Sequence, residues 1–143
     1  MTIQQISIFV ENKAGCLEAV MSLLAKNDID IRALSIADTP DFGILRIIVS
    51  DTDKAAQVLA DGGYVARSTP VLAVEIADRP GGMAEVLGVL AKADISLEYT
   101  YAFITRHTGS AYMICRVEDN DKAAGVLAEA GIKTATREEI DKL

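Results

Sequence analysis

The chain has 143 residues, of which 50% are apolar and 24% are charged, so it has enough apolar material for a folded core. Its formal net charge of −7 and the lack of a dense Lys/Arg cluster argue against a nucleic-acid partner. No apolar stretch is long enough to cross a membrane, and the first residues lack the pattern of a signal peptide, so we expect a cytoplasmic protein with no membrane partner. One histidine and two distant cysteines form no metal-ligand spacing, and we expect no cofactor.

Comparison of the chain with itself reveals a duplication. A shift of 66 residues places Leu24–Lys26 on Leu90–Lys92, and a shift of 68 places Asp53–Ala56 on Asp121–Ala124. The change of shift predicts two extra residues in the second copy, near the connection from Thr105 to Gly109, because insertions collect in loops. The junction falls near Pro70, which predicts one domain at 1–69 and a second at 70–143.

Each copy carries the same series of elements. In the first copy, the alternation of Ile6, Ile8 and Val10 predicts a strand, and the helical spacing from Leu17 to Leu24 predicts a helix. Apolar runs predict two further strands, followed by a second helix and a last short strand, at 29–37, 44–49, about 55–59 and 64–68.

The second copy repeats this pattern. A strand at 72–76 and a helix at 83–90 precede two strands at about 95–105 and 111–117. A helix at about 120–130, a short segment from Ile132 and a capped final helical turn at Thr136 to Glu139 complete the chain.

The order β-α-β-β-α-β predicts an α+β fold of two tandem ferredoxin-like units, each with both helices on one face of an antiparallel sheet. In that topology the second strand lies at a sheet edge, and in the second copy this strand, 97–104, is mostly apolar. Such an edge promotes aggregation unless it is paired, and a unit of this size has a thin core. We therefore predict that the copies pair edge to edge, within the chain or between chains, and we expect a homodimer.

The sharpest local pattern is the turn Asp78-Arg79-Pro80-Gly81-Gly82-Met83, which follows the first strand of the second copy. Proline presets the entry to a helix, and glycine allows a backbone or a ligand to approach closely. The N–H groups of the first helical turn favour an anion such as a carboxylate. Asp78 is a candidate cap for these groups or an acceptor for a ligand ammonium; the alternative is an ordinary strand-to-helix turn.

This turn, followed by an apolar helix and the sequence Asp94-Ile95-Ser96-Leu97, resembles the opening of ACT domains. The first copy has Asn12-Lys13-Ala14-Gly15-Cys16-Leu17, in which alanine replaces the proline. The resemblance covers essentially the whole chain and is similar to stand-alone proteins made of two ACT domains. It implies a non-catalytic regulatory protein that binds a small molecule, most often an amino acid, at the seam between paired domains.

Carried over by position, the resemblance implies three groups of ligand-binding residues. The glycine turns would contribute Asn12, Gly15, Cys16 and Leu17 in the first copy, and Asp78, Pro80, Gly81, Gly82 and Met83 in the second. The starts of the second strands would add Asp30, Ile31, Ser96 and Leu97.

Two other functions stay open at this stage. The chain is alternatively an interaction module, a regulatory subunit of a metabolic enzyme that has lost its ligand, because Ala14 replaces the turn proline. A thiol enzyme would use Cys16, which lies at a predicted helix start where a thiolate is favoured. Its base would be His107, the only histidine, in a predicted loop.

Two further patterns have structural explanations. The acidic clusters Asp51–Asp53 and Asp119–Asp121 resemble metal ligands, but both precede a predicted helix, where such residues act as caps. The aromatic side chains of Tyr99, Tyr101 and Phe103 alternate on a strand as they do in RNA-binding sheets. The acidic net charge favours a packing role for them instead.

Overall fold

The computed structural model of the protein describes residues 1–38, 40, 42–105 and 109–143. Its elements, in chain order, are β1 (Ile3–Glu11), α1 (Cys16–Lys26), β2 (Ile31–Asp38), β3 (Phe42–Val49), α2 (Thr52–Asp61), β4 (Ala66–Ala77), α3 (Gly82–Lys92), β5 (Leu97–Phe103), β6 (Ser110–Val117), α4 (Asn120–Glu129) and α5 (Arg137–Asp141). None of the helices in the described ranges has the length and apolarity needed to span a membrane.

The chain divides into two compact units. The first unit comprises Gln4–Thr69, and the second comprises Pro70–Leu143 together with Met1–Ile3. The extra residues predicted near Thr105 to Gly109 fall mainly on 106–108, which lie outside the described residues.

In the first unit, β1 lies between β3 and the segment that follows α2. Ile8 of β1 pairs antiparallel with Leu45 of β3, and the Phe9 N–H donates to the Val65 carbonyl at 3.1 Å. β2 pairs antiparallel with β3, so it lies at the edge of this unit's sheet. Alternate residues of β1 and β3 form one core with both helices: Ile6, Ile8, Val20, Leu24, Ile29, Leu45, Ile47, Val49, Ala55 and Leu59.

The second unit repeats this arrangement. Leu72 of β4 pairs with Cys115 of β6, and β5 pairs with β6. The Glu75 N–H donates to the Lys133 carbonyl at 2.9 Å, which is the counterpart of the bond between Phe9 and Val65. Its core comprises Leu72, Val74, Val86, Leu90, Cys115, Val117, Ala123 and Leu127. The two units therefore confirm the predicted α+β fold with antiparallel sheets, whereas the edge-to-edge pairing of the copies stays a prediction.

The junction between the copies differs from the prediction. A short strand at 64–68 and a separate strand from Leu72 were expected, but β4 is one strand from Ala66 to Ala77. The residues between them, Ser68-Thr69-Pro70-Val71, include no glycine, and proline's fixed φ is compatible with extended backbone. Nothing in this stretch therefore forces a turn.

The sheets are buried on the face opposite the helices as well. Ala33 and Ile48 in the first unit, and Ala73 and Ile114 in the second, are at most 1% exposed although they alternate with the helix-facing core residues. Burial on both faces explains why strands such as Ile47-Ile48-Val49 show no alternation of apolar and polar residues. Tyr101 is also buried, which favours the packing role predicted for the aromatic residues of β5.

The ends of the helices show the duplication in the backbone itself. Asp28 and Asp94, which follow α1 and α3, both have a φ of 56°, in the left-handed region that few residues other than glycine adopt. The predicted caps are confirmed: the Asp51 carboxylate accepts from the Lys54 N–H at 3.0 Å, and Asp119 accepts from the Lys122 N–H at 2.9 Å. The acidic clusters are therefore explained by helix capping.

The predicted capped turn at the end of the chain is also confirmed. The Thr136 hydroxyl accepts from the Glu139 N–H at 3.2 Å, and the Glu139 carboxylate accepts from the Thr136 N–H at 2.8 Å. This reciprocal pair is a capping box. Lys133 Nζ lies 2.5 Å from Glu139 Oε1, and these hydrogen bonds hold the pKa of Glu139 below its usual value.

We expect acid to release α5 before it unfolds the rest of the chain. Because the pKa of Glu139 is lowered in the folded protein, its contribution to stability is present above the ordinary glutamate pKa of about 4.3 and is lost as the pH falls through the folded value. The methyl NMR signals of Ile140, which is fully buried, should report this step. Glu139→Gln should remove the pH dependence below pH ~4.3, whereas Glu138→Gln, at the exposed neighbouring position, should keep it.

Candidate functional site

The two glycine turns have the same backbone geometry. Gly15 has φ 85° and ψ −13°, and Gly81 has φ 89° and ψ −10°. In the first turn the Cys16 N–H donates to the Lys13 carbonyl at 3.2 Å, and in the second the Gly82 N–H donates to the Arg79 carbonyl at 3.1 Å. Alanine in place of proline at position 14 therefore leaves the form of the first turn unchanged.

Both turns leave helix N–H groups open. The first intrahelical bond of α1 runs from Ala19 to Gly15, and no described residue accepts from the N–H of Leu17 or Glu18. In α3 the N–H groups of Met83 and Ala84 are open in the same way. α2 and α4 differ, because the carboxylates of Asp51 and Asp119 each accept from one first-turn N–H group and place a negative charge there. α1 and α3 have no carboxylate at the N-cap position, so the start of these helices suits an anion better.

Asp78 does not cap α3. The N-cap position is occupied by Gly81. Among the described residues, the Asp78 carboxylate accepts no hydrogen bond from the N–H groups of the first turn of α3. The Asp78 N–H donates to the Gly109 carbonyl at 3.2 Å. The capping role considered for Asp78 is therefore wrong, while its role as an acceptor for a ligand stays a prediction.

A cavity of about 250 Å³ lies beside the first turn. Two residues of the predicted site, Asn12 and Leu17, contribute to its wall. The remaining lining residues come from the ends of three strands and from the turn: Val10, Glu11, Lys13, Ile36, Gly43 and Leu45. Among the described residues the lining is therefore mostly apolar, with its polar groups in one stretch, Glu11-Asn12-Lys13.

A different cavity, of about 390 Å³, lies beside the second turn. Among the predicted site residues it includes Gly82, and its polar side chains are those of Glu75, Glu85, Ser110 and Lys133. The Ser110 hydroxyl donates to the Glu75 carboxylate at 2.9 Å. Burial and the Glu75 carboxylate raise the pKa of Tyr112, whose ring lies behind this group. The cavity beside the second turn is therefore more polar than the cavity beside the first.

Gly82 is required where it stands. A Cβ built on this residue would lie 2.1 Å from the carbonyl oxygen of Ala77, closer than any two such atoms can approach. The predicted close backbone approach is therefore present in the second turn. The first unit has Cys16 at the equivalent position, so its turn leaves room for a side chain there.

The starts of the second strands lie far from the turns of their own units. Ile31 pairs with Val49, whereas the turn follows Glu11, which pairs with Phe42 at the other end of β3. At about 3.3 Å per residue, the length of β2 separates these ends by roughly 20 Å. Asp30 shares the far end, where its N–H donates to the Ser50 hydroxyl at 3.0 Å.

The second unit has the same geometry. Leu97 pairs with Val117, and Ser96 precedes it, while the turn follows Ala77, which pairs with Ser110. Within either unit, the fold does not bring the two groups of predicted residues together.

The thiols show no activating surroundings. Cys16 is the first residue of α1 and is partly exposed, and His107 lies outside the described residues. Cys115 is buried, and burial raises the pKa of its thiol, which favours the protonated form. Over the described ranges, no cluster of three or more His, Cys, Asp or Glu residues has the geometry of a metal site.

Most residues of the first cavity have no signal in the sequence. Gly43 is the exception, because an isolated glycine beside a strand pattern can mark a place where a ligand or another backbone approaches closely. Val10, Ile36 and Leu45 carried no such signal, because each reads as an ordinary core residue. Their meeting at one point depends on the register of three strands.

Comparison with known proteins identifies a family and similar structures. A family model described as an ACT domain pair matches residues 1–143. Protein BT0572 from Bacteroides thetaiotaomicron is similar, with 39% identity over 100% of this chain and 98% of that chain and a TM-score of 0.92. None of the curated proteins matches.

Two more distant structures share the fold. The ligand-free regulatory subunit of aspartate kinase from Thermus thermophilus is 16% identical over 89% of this chain and 91% of that chain, with a TM-score of 0.63. Its counterpart from Thermus flavus is 17% identical over 90% and 92% of the two chains, with a TM-score of 0.60.

We predict that Gly82→Ala destabilises the protein by about 1–3 kcal/mol, because the new methyl group meets backbone and not a movable side chain. Gly88→Ala, in the interior of the same helix with open space around it, should be neutral or stabilising by up to about 1 kcal/mol. Urea unfolding of both variants measures the difference. Equal stabilities would show that the turn can relax around the added methyl.

Proposed function

Because the chain belongs to the ACT domain pair family, a family of regulatory domains, we propose that it is a non-catalytic sensor that binds an amino acid at a glycine turn. The observation that carries this proposal is the apolar cavity beside the uncapped start of α1. Its volume of about 250 Å³ lies below the 300–1,000 Å³ of sites for drug-sized ligands, and is suited to a ligand the size of an amino acid.

The lining offers a partner for each part of such a ligand. The open N–H groups of Leu17 and Glu18 are donors for a carboxylate, and the positive end of the helix dipole adds to their attraction. The carboxylate of Glu11 and the amide of Asn12 supply acceptors for an ammonium group. The apolar wall receives the side chain.

Binding at this place gives a physical basis for regulation. Leu17 belongs to α1, Ile36 to β2 and Gly43 to β3, so one ligand contacts three elements. A ligand that binds one arrangement of these elements more tightly shifts the conformational equilibrium toward that arrangement. The free energy of this shift is no larger than the difference in binding free energy between the two arrangements. The contribution of the strand starts Asp30, Ile31, Ser96 and Leu97, at a seam between paired domains, stays a prediction.

Exposed apolar residues favour a second candidate function, an interaction module that acts as a regulatory subunit of a metabolic enzyme. Leu34 and Ile36 on β2 are 44% and 49% exposed, and Leu17 on α1 is 37% exposed. Neighbouring apolar side chains of this size on a surface mark contact sites for other proteins. The same residues support the homodimer expected from the sequence.

A thermal-shift screen against the twenty amino acids tests the sensor. At a concentration of 100 Kd, a ligand that binds only the folded chain should stabilise it by about 2.7 kcal/mol and raise the Tm. The amide of the active amino acid, which lacks the carboxylate, should have no effect if the helix N–H groups hold that carboxylate. No shift with any amino acid at millimolar concentration would contradict the proposal and favour the interaction module.

We expect Leu34→Lys to weaken self-association, because a lysine on this strand introduces a charge into an apolar contact. Sedimentation equilibrium over a range of concentrations should show a dimer for the unmodified chain and a larger monomer fraction for the variant. Thr100→Lys, at the equivalent exposed position of β5, is the matched control and should leave the equilibrium closer to that of the unmodified chain. If the unmodified chain is a monomer at every concentration, the prediction of a homodimer is wrong.

A further inference from the structure

The cavity of the first unit depends on a glycine within a strand. Gly43 lies in β3, opposite Val10 of β1. A Cβ on this residue would lie 3.6 Å from the Ala37 carbonyl oxygen and 3.6 Å from Ile36 Cγ2, which are ordinary contacts. Alanine therefore fits here, and glycine within a strand is less stable than alanine because it loses more conformational freedom on folding. The glycine therefore leaves open space on the cavity wall and lowers the stability of the strand.

The second unit has alanine at the equivalent position. Ile76 of β4 lies opposite Ala111 of β6, as Val10 lies opposite Gly43. The methyl group of Ala111 therefore occupies the space that is open beside Gly43. At this equivalent position the first unit thus has glycine and open space, whereas the second unit has the methyl group of an alanine.

Two other positions that line the first cavity also carry different residues in the second unit. Ile36 of β2, which pairs with Leu45, is replaced by Ala102 of β5, which pairs with Met113. The isoleucine forms one side of the first cavity, whereas the alanine projects too little to form a wall. The longer methionine stands at the position equivalent to Leu45, which lines the first cavity. Three positions that line the first cavity thus differ in the second unit.

Among the described residues, two charged side chains of the first turn pair with each other. Glu11 and Lys13 pair with each other at 3.1 Å, and Asn12 between them carries no charge. Glu18 of the first helical turn accepts from the Ser22 hydroxyl at 2.5 Å, so its carboxylate is directed toward the next turn of the helix. A zwitterion, whose own charges cancel, matches this rim.

The second turn carries a negative charge where the first carries an amide. Asp78 stands at the position of Asn12, and Arg79 is engaged in an ion pair with Glu85. A carboxylate at the start of α3 would therefore lie near the negative charge of Asp78, which opposes its binding.

Resting on the proposed function, we propose that each chain binds one amino acid, in the first unit, and that Gly43 provides the space for its side chain. The ligand is an α-amino acid with an uncharged side chain, because the described wall of the cavity is apolar and its charged residues, Glu11 and Lys13, lie together beside the turn. The second turn keeps the left-handed glycine that the fold requires, but it lacks a cavity that accepts this ligand.

Isothermal titration calorimetry of the full chain tests this inference. The probes are leucine, isoleucine, valine, methionine, phenylalanine and histidine, with aspartate, glutamate, lysine and arginine as charged counterparts. We expect a neutral amino acid to bind with a stoichiometry of one per chain and the charged ones to bind at least tenfold more weakly. Gly43→Ala should weaken binding at least tenfold, and Ala111→Gly, the matched change in the second unit, should leave affinity and stoichiometry unchanged.

Urea unfolding of Gly43→Ala tests whether a loss of binding reflects unfolding. We expect the variant to be as stable as the unmodified chain, or more stable. Two sites per chain, preference for a charged amino acid, or full affinity in Gly43→Ala would each overturn the inference while leaving the sensor in place. Failure of every amino acid to bind would overturn both the inference and the proposed function.

Discussion

The left-handed glycine between the first strand and the first helix is the constraint on which each unit depends. The chain must leave the end of a buried strand and enter a helix that packs back over the same sheet. A φ near +85°, as at Gly15 and Gly81, makes this reversal in one residue, and glycine adopts it without the steric penalty of a side chain. The same choice removes any capping side chain from the N-cap position.

The consequence for chemistry follows from the backbone. α2 and α4 begin with an aspartate whose carboxylate accepts from one N–H group of the first turn, and α5 has a complete capping box. α1 and α3 begin with a glycine, and among the described residues no backbone carbonyl accepts from two N–H groups of each first turn. The fold therefore presents anion-binding groups at two equivalent places as a by-product of the turn that it needs for packing, and the surrounding side chains decide whether a ligand can use them.

The two units show how far such surroundings can diverge on one backbone. The first turn is flanked by an apolar cavity with a neutral polar rim, and the second by a larger cavity whose polar groups include Glu75 and Lys133. The positions that line the first cavity also carry other residues in the second unit, such as Ala111 in place of Gly43. A duplication thus conserves hydrogen bonds of the main chain, which do not depend on side-chain identity, and leaves the cavities free to change.

The sequence by itself determined the features that local patterns encode: the repeat, the order of strands and helices, the glycine turns, the caps at Asp51 and Asp119, and the box formed by Thr136 and Glu139. Each of these depends on residues within a few positions of one another. Tertiary structure alone decided the rest. The cavity beside Asn12 and Leu17 is completed by Ile36, Gly43 and Leu45, which meet because of strand register, and the same register places Asp30 and Ile31 at the far end of the sheet from their own turn. The fusion of two predicted strands into β4 likewise reflects the pairing of distant segments, because nothing within Ser68 to Val71 either requires or forbids a break.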